Sequence, residues 1–420
     1  MNIKYSHLLI MMLLVLLPAV SGKAQDLNSY LETAAENNPG LKASYLEYEA
    51  AMQKIDQVSS LPDPVLSFGY YIRPVETRVG PQQARFSLKQ MFPWFGTLGS
   101  KNKTAAMLAE SKFQDFIHDR DRLFLQVKTA YYRIYETDRI LKATQENLEI
   151  TRSYLNITET KFENARAPMV DVIRVQMAMS DLETEIAVLK DERRAETIAF
   201  NRLLNRNEQD TVMITIPALP DNPDMEAYRD SLLKNNPQLA AIDYRIRSQQ
   251  SRQQTAIKNT YPDLGVGIDY IVTGKRDDVS ISDNGKDAVI PGVSISIPIF
   301  GKKYRAAFKE AELMEESLEW KRENQVNMLI SDFEDARYQL ESARQKITLF
   351  RSQLDKIRRA LNLLLTTYSQ NSENFEEVLR MQQQQLRYET ALATATKNYF
   401  TAQARLEYMS GEPKRNDIRK

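Results

Sequence analysis

The chain has 420 residues, with 56 Lys or Arg balanced by 56 Asp or Glu, no Cys and only two His. Zero net charge argues against a nucleic-acid binder, which needs a basic excess to meet phosphates. The lack of Cys excludes disulfides, thiolate zinc sites and thiol nucleophiles, and none of the 13 Gly forms a nucleotide-binding loop. Most nucleotide-dependent enzymes and His- or Cys-based metal centres are therefore disfavoured.

The first 24 residues have the pattern of a signal peptide. Lys4 supplies a positive charge, residues 8–20 are almost entirely apolar, and Gly22 and Ala24 are placed at the −3 and −1 positions of a cleavage site. A membrane-spanning helix needs about 20 apolar residues, so this run favours a cleaved signal over an uncleaved anchor. No later stretch reaches spanning length as a helix, so any membrane insertion must use strands.

Short segments of alternating polarity follow at 65–72, 86–92, 264–272 and 293–297. Each has one apolar and one small or polar face, and each is near the length of a tilted outer-membrane strand, which is the pattern of a membrane barrel. The residues expected to face lipid are Leu66, Phe68, Val266, Ile268 and Ile295. Those expected to face the lumen are Ser67, Gly267, Ser294 and Ser296. On the strands alone, two ordinary soluble hairpins remain an alternative.

Long helices are predicted after each pair of strands, because neither Gly nor Pro occurs at 100–167 or at 302–410. At 1.5 Å per residue the first of these helices would be about 100 Å long. In the second stretch, thirteen positions from Val326 to Tyr368 recur with the three-and-four spacing of a heptad seam. The same register runs from Leu123 to Phe162, where one edge is largely Thr. These seams predict helices that pack along one another.

The chain after the signal peptide reads as two copies of one pattern. NNPGL at 37–41 returns as NNPQL at 235–239, and FPWFG at 92–96 returns as IPIFG at 297–301. PD at 62–63 and VDVIRVQ at 170–176 also return, as PD at 262–263 and EEVLRMQ at 376–382. Four ordered matches at a nearly constant offset indicate an internal duplication.

Two strand pairs cannot close a barrel by themselves. An open sheet edge cannot lie in hydrocarbon, and the smallest bacterial barrels have about eight strands. A membrane-inserted chain of this kind must therefore share one barrel with other copies, which predicts an obligate homo-oligomer.

This duplicated order of strands and long helices resembles the TolC-type outer-membrane efflux channels. The residues that carry the resemblance are NPQL at 236–239, the two strand-end motifs at 92–96 and 297–301, and the DV and EV pairs at 171–172 and 377–378. It implies a mainly α fold with a small β part, in which coiled-coil helices form a trimeric α-helical barrel. A twelve-stranded outer-membrane β-barrel would be shared, with four strands from each chain. The PWFG form is similar to members that serve heavy-metal cation efflux, whereas the lipidated amino-terminal Cys of many relatives is missing.

Mapped on this plan, the chain divides into five segments. They are a signal peptide at 1–24, a first repeat at 25–206, a linker at 207–224, a second repeat at 225–411 and a flexible tail at 412–420. We expect an additional strand at 212–216 within the linker.

The resemblance implies a passive conduit rather than an enzyme, with no cofactor or bound metal. It would lie in the outer membrane of a Gram-negative cell, in contact with lipid, and extend far into the periplasm. A periplasmic adaptor and an inner-membrane pump would dock at the helix tips, and small toxic substrates would leave through the homotrimer. The alternative is an exported coiled-coil scaffold or a periplasmic adaptor; adaptors typically have one helical hairpin, whereas this chain has two.

The candidate aperture residues are Asp171 and Glu377, just after the two helix reversals, with Arg174 and Arg380 following them. Three chains would bring six carboxylates around one opening, and acid rings favour cations. The arginines would neutralise part of that charge. A carboxylate in the first turn also stabilises a helix by about 0.3–1 kcal/mol, so a helix-start role remains open beside the aperture role.

Overall fold

The computed structural model describes residues 26–219, 225–278, 280–371 and 375–411. Within these ranges the helices are α1 (Leu27–Asn37), α2 (Pro39–Ser59), α3 (Thr97–Glu163), α4 (Met169–Leu203), α5 (Met225–Asn235), α6 (Pro237–Lys258), α7 (Gly301–Asn371) and α8 (Phe375–Ser410). The strands are β1 (Val65–Val75), β2 (Gln82–Phe92), β3 (Asp263–Thr273) and β4 (Ala288–Ser296). The predicted mainly α class with a small β part is confirmed. The proposed signal peptide, the tail and the end of the linker lie outside the described residues.

The chain divides into two compact units. The unit that contains the four strands, called the sheet unit below, comprises the described residues within Pro39–Leu123, Asp224–Leu340 and Ala402–Lys420. The other, called the helical unit, comprises the described residues within Met1–Asn38, Phe124–Pro223 and Glu341–Thr401. The two longest helices, α3 and α7, contribute residues to both units.

The sheet is antiparallel throughout, with the strands in the order β1-β2-β3-β4. One row of paired residues runs Leu66, Leu88, Ile268 and Pro291 across all four strands. The next row, Ser67, Ser87, Asp269 and Ile290, points to the other face because side chains alternate along a strand. The register therefore gathers most of the exposed apolar residues of the four strands on one face, with Ile290 as an exception on the other.

The helices of the sheet unit follow the same order as the strands. Ion pairs join α2 to α3, α3 to α6 and α6 to α7, through Lys112 with Glu47, Arg245 with Asp115, and Arg322 with Asp243. The order α2-α3-α6-α7 matches β1-β2-β3-β4, so each strand is accompanied by one helix in a single layer.

The predicted seam positions are mostly buried. On α7, ten of the thirteen are buried and the other three are half-buried. On α3, Thr144, Thr151 and Thr158 are buried, and each hydroxyl donates to the carbonyl four residues earlier, at 2.9, 2.8 and 3.0 Å. That bond satisfies the hydroxyl within its own helix, which lets Thr occupy an apolar seam. Phe162 is the exception, because it lies exposed in the last turn.

Helices α3 and α4 end at Glu163 and Leu203, and the first of these ends falls before the limit of the Gly- and Pro-free stretch at 100–167. Ala165 and Asn205 adopt left-handed backbone angles, with φ of 58° and 50°. The next N–H donates back five residues in each case, at 2.8 Å from Arg166 to the carbonyl of Lys161 and at 3.1 Å from Arg206 to that of Asn201. This closing motif terminates a helix by satisfying its last carbonyls.

The strand predicted at 212–216 is wrong, because the structure assigns no strand between 211 and 219. The segment binds side chains instead of a neighbouring strand. The N–H of Met213 donates to the hydroxyl of Tyr30 at 3.1 Å, and the N–H of Thr215 donates to that of Tyr131 at 2.7 Å. Alternation in the sequence predicted an extended chain, but a strand also needs a partner, and these tyrosines occupy that place.

Candidate functional site

The sheet presents an exposed apolar face. The five residues predicted to face lipid all lie on it, with exposed fractions from 47% for Ile268 to 72% for Leu66. Phe68 packs against Phe86 on the same face, with ring centroids 5.0 Å apart. Soluble proteins rarely expose contiguous apolar patches larger than a few hundred Å², so this face calls for an apolar environment or a partner.

The opposite face of the sheet is mostly small and polar, although Ile290 also lies on it. Ser67, Gly267, Ser294 and Ser296 lie on it by register. Arg85 on β2 pairs there with Asp269 on β3, with the guanidinium 2.6 Å from the carboxylate. The two faces thus have opposite chemistry, one suited to hydrocarbon and the other to water.

The two loops that join the strands contact each other at one end of the sheet. The N–H of Gly285 donates to the carbonyl of Val79 at 2.7 Å, and that of Gly274 donates to Pro81 at 2.7 Å. Gly80 has a φ of 133°, and a Cβ there would lie 1.8 Å from the carbonyl oxygen of Gly274. Only glycine fits at such a close backbone approach. The association of the loops could not be predicted from local sequence, because it depends on contacts between residues about 200 positions apart in the chain.

The structure places Asp171 and Glu377 in the first turns of α4 and α8. Asp171 is buried, and its carboxylate lies 3.5 Å from the guanidinium of Arg174, which is also 3.1 Å from Glu376. Glu377 is 2.5 Å from the guanidinium of Arg380. Each acid is thus paired with the arginine three residues later, and Glu376 joins one of the pairs. Its participation was missed, although the adjacent acids at 376 and 377 were visible in the sequence.

Burial raises the pKa of Asp171 above its ordinary value, with Glu376 acting in the same direction and Arg174 opposing it. A carboxyl whose pKa is higher in the folded state binds its proton more tightly there than in the unfolded chain. The ionised form therefore lowers the stability of the tip, and this loss is relieved as the pH falls through the folded pKa. The favourable effect of the helix dipole on Asp171 is at least partly offset.

A buried cluster holds the four helices together behind these charges. Its members come from α3, α4, α7 and α8 and are Tyr154, Val175, Ile357, Leu361, Tyr368, Phe375, Val378 and Leu379. The ring of Phe375 lies 4.9 Å from that of Tyr368 and 6.1 Å from that of Tyr154. Lys161 donates to the carbonyl of Tyr368 at 2.6 Å and lies 4.0 Å above its ring. The candidate aperture residues are thus attached to a packed core.

Two kinds of feature are absent from the described residues. Across the described ranges, no group of three or more acidic or His side chains is arranged to hold a metal ion. Nor does any helix in the described part of the chain combine the length and apolar character needed to cross a membrane.

Comparison with known proteins connects these features to a family. Residues 228–412 match the model of the outer membrane efflux protein family. The matched range contains most of α5, the helices α6, α7 and α8, and the strands β3 and β4. No curated protein is significantly similar to the chain in sequence.

Several solved structures share the fold of the whole described chain. The outer-membrane channel OprN superposes with a TM-score of 0.74 at 18% identity, over 92% of this chain and 90% of its own. VceC, an outer membrane protein of Vibrio cholerae, gives 0.75 at 15% identity, over 92% and 96%. The MtrE outer membrane channel of Neisseria gonorrhoeae gives 0.70 at 15% identity, over 92% and 88%. At such identities these similarities establish a common fold.

Proposed function

We propose that this protein is the outer-membrane channel of an efflux system, a passive conduit rather than an enzyme. The observation that carries the proposal is the four-stranded sheet with one exposed apolar face and one polar face, attached strand by strand to a helical layer. The family match over 228–412 and the shared fold with OprN and MtrE support it. Export would depend on a signal peptide at 1–24, followed by repeats at 25–206 and 225–411 joined by the linker at 207–224.

Three copies would complete one barrel. The outer strands of the sheet, β1 and β4, each have a partner on one side only among the described residues. Unpaired backbone groups are too costly to leave in hydrocarbon, so these edges require a neighbour. Helices α2 and α7 form the corresponding edges of the helical layer. A rotation that pairs β4 of one copy with β1 of the next would therefore also bring α7 of one copy against α2 of the next.

The oligomer is tested by extraction. In mild detergent the protein should elute as a complex near three times the chain mass of 48.4 kDa, less the signal peptide. Light scattering of the purified peak measures this mass independently of its shape. A monomer that is soluble without detergent would contradict both the channel and the barrel, and would favour the scaffold or adaptor alternative.

In this proposal the tips of α3–α4 and α7–α8 face the periplasm of a Gram-negative cell, where a periplasmic adaptor and an inner-membrane pump dock. Asp171 and Glu377 would be repeated three times around the opening. Acid rings favour cations, but Arg174 and Arg380 reduce the charge of the ring. The predicted selectivity is therefore for cations, and weaker than six free carboxylates would give.

Single-channel recordings in a salt gradient test this aperture role. The double variant Asp171→Asn and Glu377→Gln should lose the cation preference, while Ser67→Ala on the polar face of the sheet should keep it. The raised pKa of Asp171 adds a second expectation, that removing its charge does not destabilise the tip at neutral pH. A variant that keeps its selectivity but melts at lower temperature would assign the acids to helix initiation alone.

The proposed cargo is small toxic compounds, with metal cations ranked first because of the PWFG motif at 93–96. Deleting the gene should then lower tolerance to monovalent or divalent metal ions more than tolerance to dyes or detergents. Growth inhibition measured for both groups of compounds decides the ranking. Unchanged metal tolerance together with greater dye sensitivity would discard the metal cargo and leave the conduit intact.

A further inference from the structure

A groove with a volume of about 990 Å³ lies in the sheet unit. Its lining comes from the first turns of α3 and from the flanking helices α2 and α6. Residues 60–63, which lead into β1, and Pro93, which follows β2, carry the groove to the end of the sheet. This volume is at the upper end of the range for small-molecule sites, about 300–1,000 Å³.

The lining combines apolar and basic side chains. Leu61, Leu98 and Leu108 are among the apolar residues, and Leu61 and Leu108 remain well exposed. The basic residues come from all three helices and are Lys54, Lys101, Lys112, Arg245 and Arg252. Asp63 is the single acid in the lining. Such a surface matches a ligand that carries both a negative charge and an apolar chain.

Three of the five basic residues already have acidic partners. Lys112, Arg245 and Arg252 pair with Glu47, Asp115 and Glu310, none of which lines the groove. Lys54 donates to the amide oxygen of Gln57 at 3.1 Å. Within the described ranges, neither Lys54 nor Lys101 forms an ion pair. Two ammonium groups are therefore available to an incoming anion.

We propose that this groove binds an anionic amphiphile, with its acid group at Lys54 and Lys101 and its chain against Leu61, Leu98 and Leu108. Hydrogen bonds to charged groups are stronger than those between neutral groups, and burial of the apolar chain supplies the rest of the affinity. A second copy is a poor occupant, because a neighbour that extends the helical layer would lie beyond the edges formed by α2 and α7, whereas the groove runs across α2, α3 and α6. Ligand binding at this groove does not require that the chain form a channel.

Photo-crosslinking tests the site directly. The full-length protein in nanodiscs of zwitterionic lipid is labelled with dodecanoate that carries a diazirine near its methyl end, and the labelled peptides are mapped. We expect labels within 51–63 or 98–112, competed by unlabelled dodecanoate but not by dodecyltrimethylammonium at the same concentration. Labels elsewhere, or equal competition by the cationic detergent, would overturn the proposal.

A third competitor, phosphatidylglycerol, separates the two sources of such a ligand. Competition at a low mole fraction of this lipid assigns the groove to an anionic membrane lipid, whereas competition by dodecanoate alone assigns it to a soluble amphiphile. Either result supports the proposed class of ligand. Protection by neither compound would refute it.

Two matched variants test the role of the charges. Lys54→Gln with Lys101→Gln should lower groove labelling about tenfold or more, since a charge-assisted hydrogen bond is lost at each site. Lys103→Gln is the control, because Lys103 lies two residues along α3 and lines a separate cavity with Arg247 and Lys258. Equal losses of labelling in the double variant and the control would show that labelling depends on the overall positive charge of the protein and not on Lys54 and Lys101. Oligomer yield, measured in parallel, verifies that each variant is assembled.

Discussion

Replacing Ile268 by Arg should strongly reduce the amount of assembled protein in the outer membrane. Ile268 lies in the middle of β3, between Leu88 and Pro291 in the apolar row of the sheet, and 47% of it is exposed. An Arg at a midplane, lipid-facing position of a barrel costs about 2–4 kcal/mol. A cost of 1.4 kcal/mol changes an equilibrium constant about tenfold, so three copies of this cost should be prohibitive for the proposed trimer.

The matched control is Ser294→Arg on the adjacent strand β4. Ser294 pairs with Gly265, one position from the apolar row of Val266 and Val293, and so lies on the polar face. An Arg there would enter the water-filled side and should be tolerated. Quantitative blotting of the trimer band in outer-membrane fractions measures both variants. Equal yields from the two would mean that the faces of the sheet are reversed or that the sheet is not in a membrane.

Replacing Phe375 by Ala should loosen the helix tips without affecting the sheet. Phe375 is 3% exposed and packs against Tyr154 of α3 and Tyr368 of α7. Truncating a buried Phe to Ala typically costs about 3–5 kcal/mol, because the apolar transfer energy is lost and a cavity is left. Local opening should rise about a hundredfold or more, and trypsin cleavage after Arg380 reports it.

Phe162→Ala provides the control for this prediction. Phe162 lies in the last turn of α3 and is 43% exposed, so its removal should leave cleavage rates almost unchanged. Should both variants be cleaved at the wild-type rate, the cluster around Tyr368 would not be what holds the tips together. A trimer yield that falls with Phe375→Ala would show that the tip and the barrel are coupled.

The features that could be predicted from the sequence are those that depend on the local spacing of apolar residues. The three-and-four spacing from Val326 to Tyr368 identified the buried side of α7, because one helix face repeats every seven residues whatever it packs against. Alternation likewise identified the strands, and the register then brought Leu66 and Ile268 onto the same face. Periodicity determines which side of an element is apolar, and in this chain that determines most of the fold.

Features that depend on distant partners could not be predicted. The 212–216 segment alternates like a strand, yet the hydroxyls of Tyr30 and Tyr131 bind its backbone in place of a second strand. Asp171 was placed in a first turn by its position after Pro168, but its burial arises from the packing of several helices. The basic groove was missed altogether, because α2, α3 and α6 bring its residues together from widely separated parts of the sequence.

The buried threonines of α3 have a consequence for how the helix is held in place. Thr144, Thr151 and Thr158 donate their hydroxyls only to carbonyls of their own helix. At these three positions no hydrogen bond ties α3 to the surface it packs against, although the side chains are buried. Packing of α3 at these three positions therefore depends on van der Waals contact and burial alone. Hydrogen bonds that tie this part of α3 to other helices come from Tyr154, which donates to the side-chain oxygen of Gln382 at 3.5 Å, and from Lys161, which donates to the carbonyl of Tyr368 at 2.6 Å. The register of α3 against α7 and α8 is thus fixed near the tip by these two residues, while the threonines only fill space.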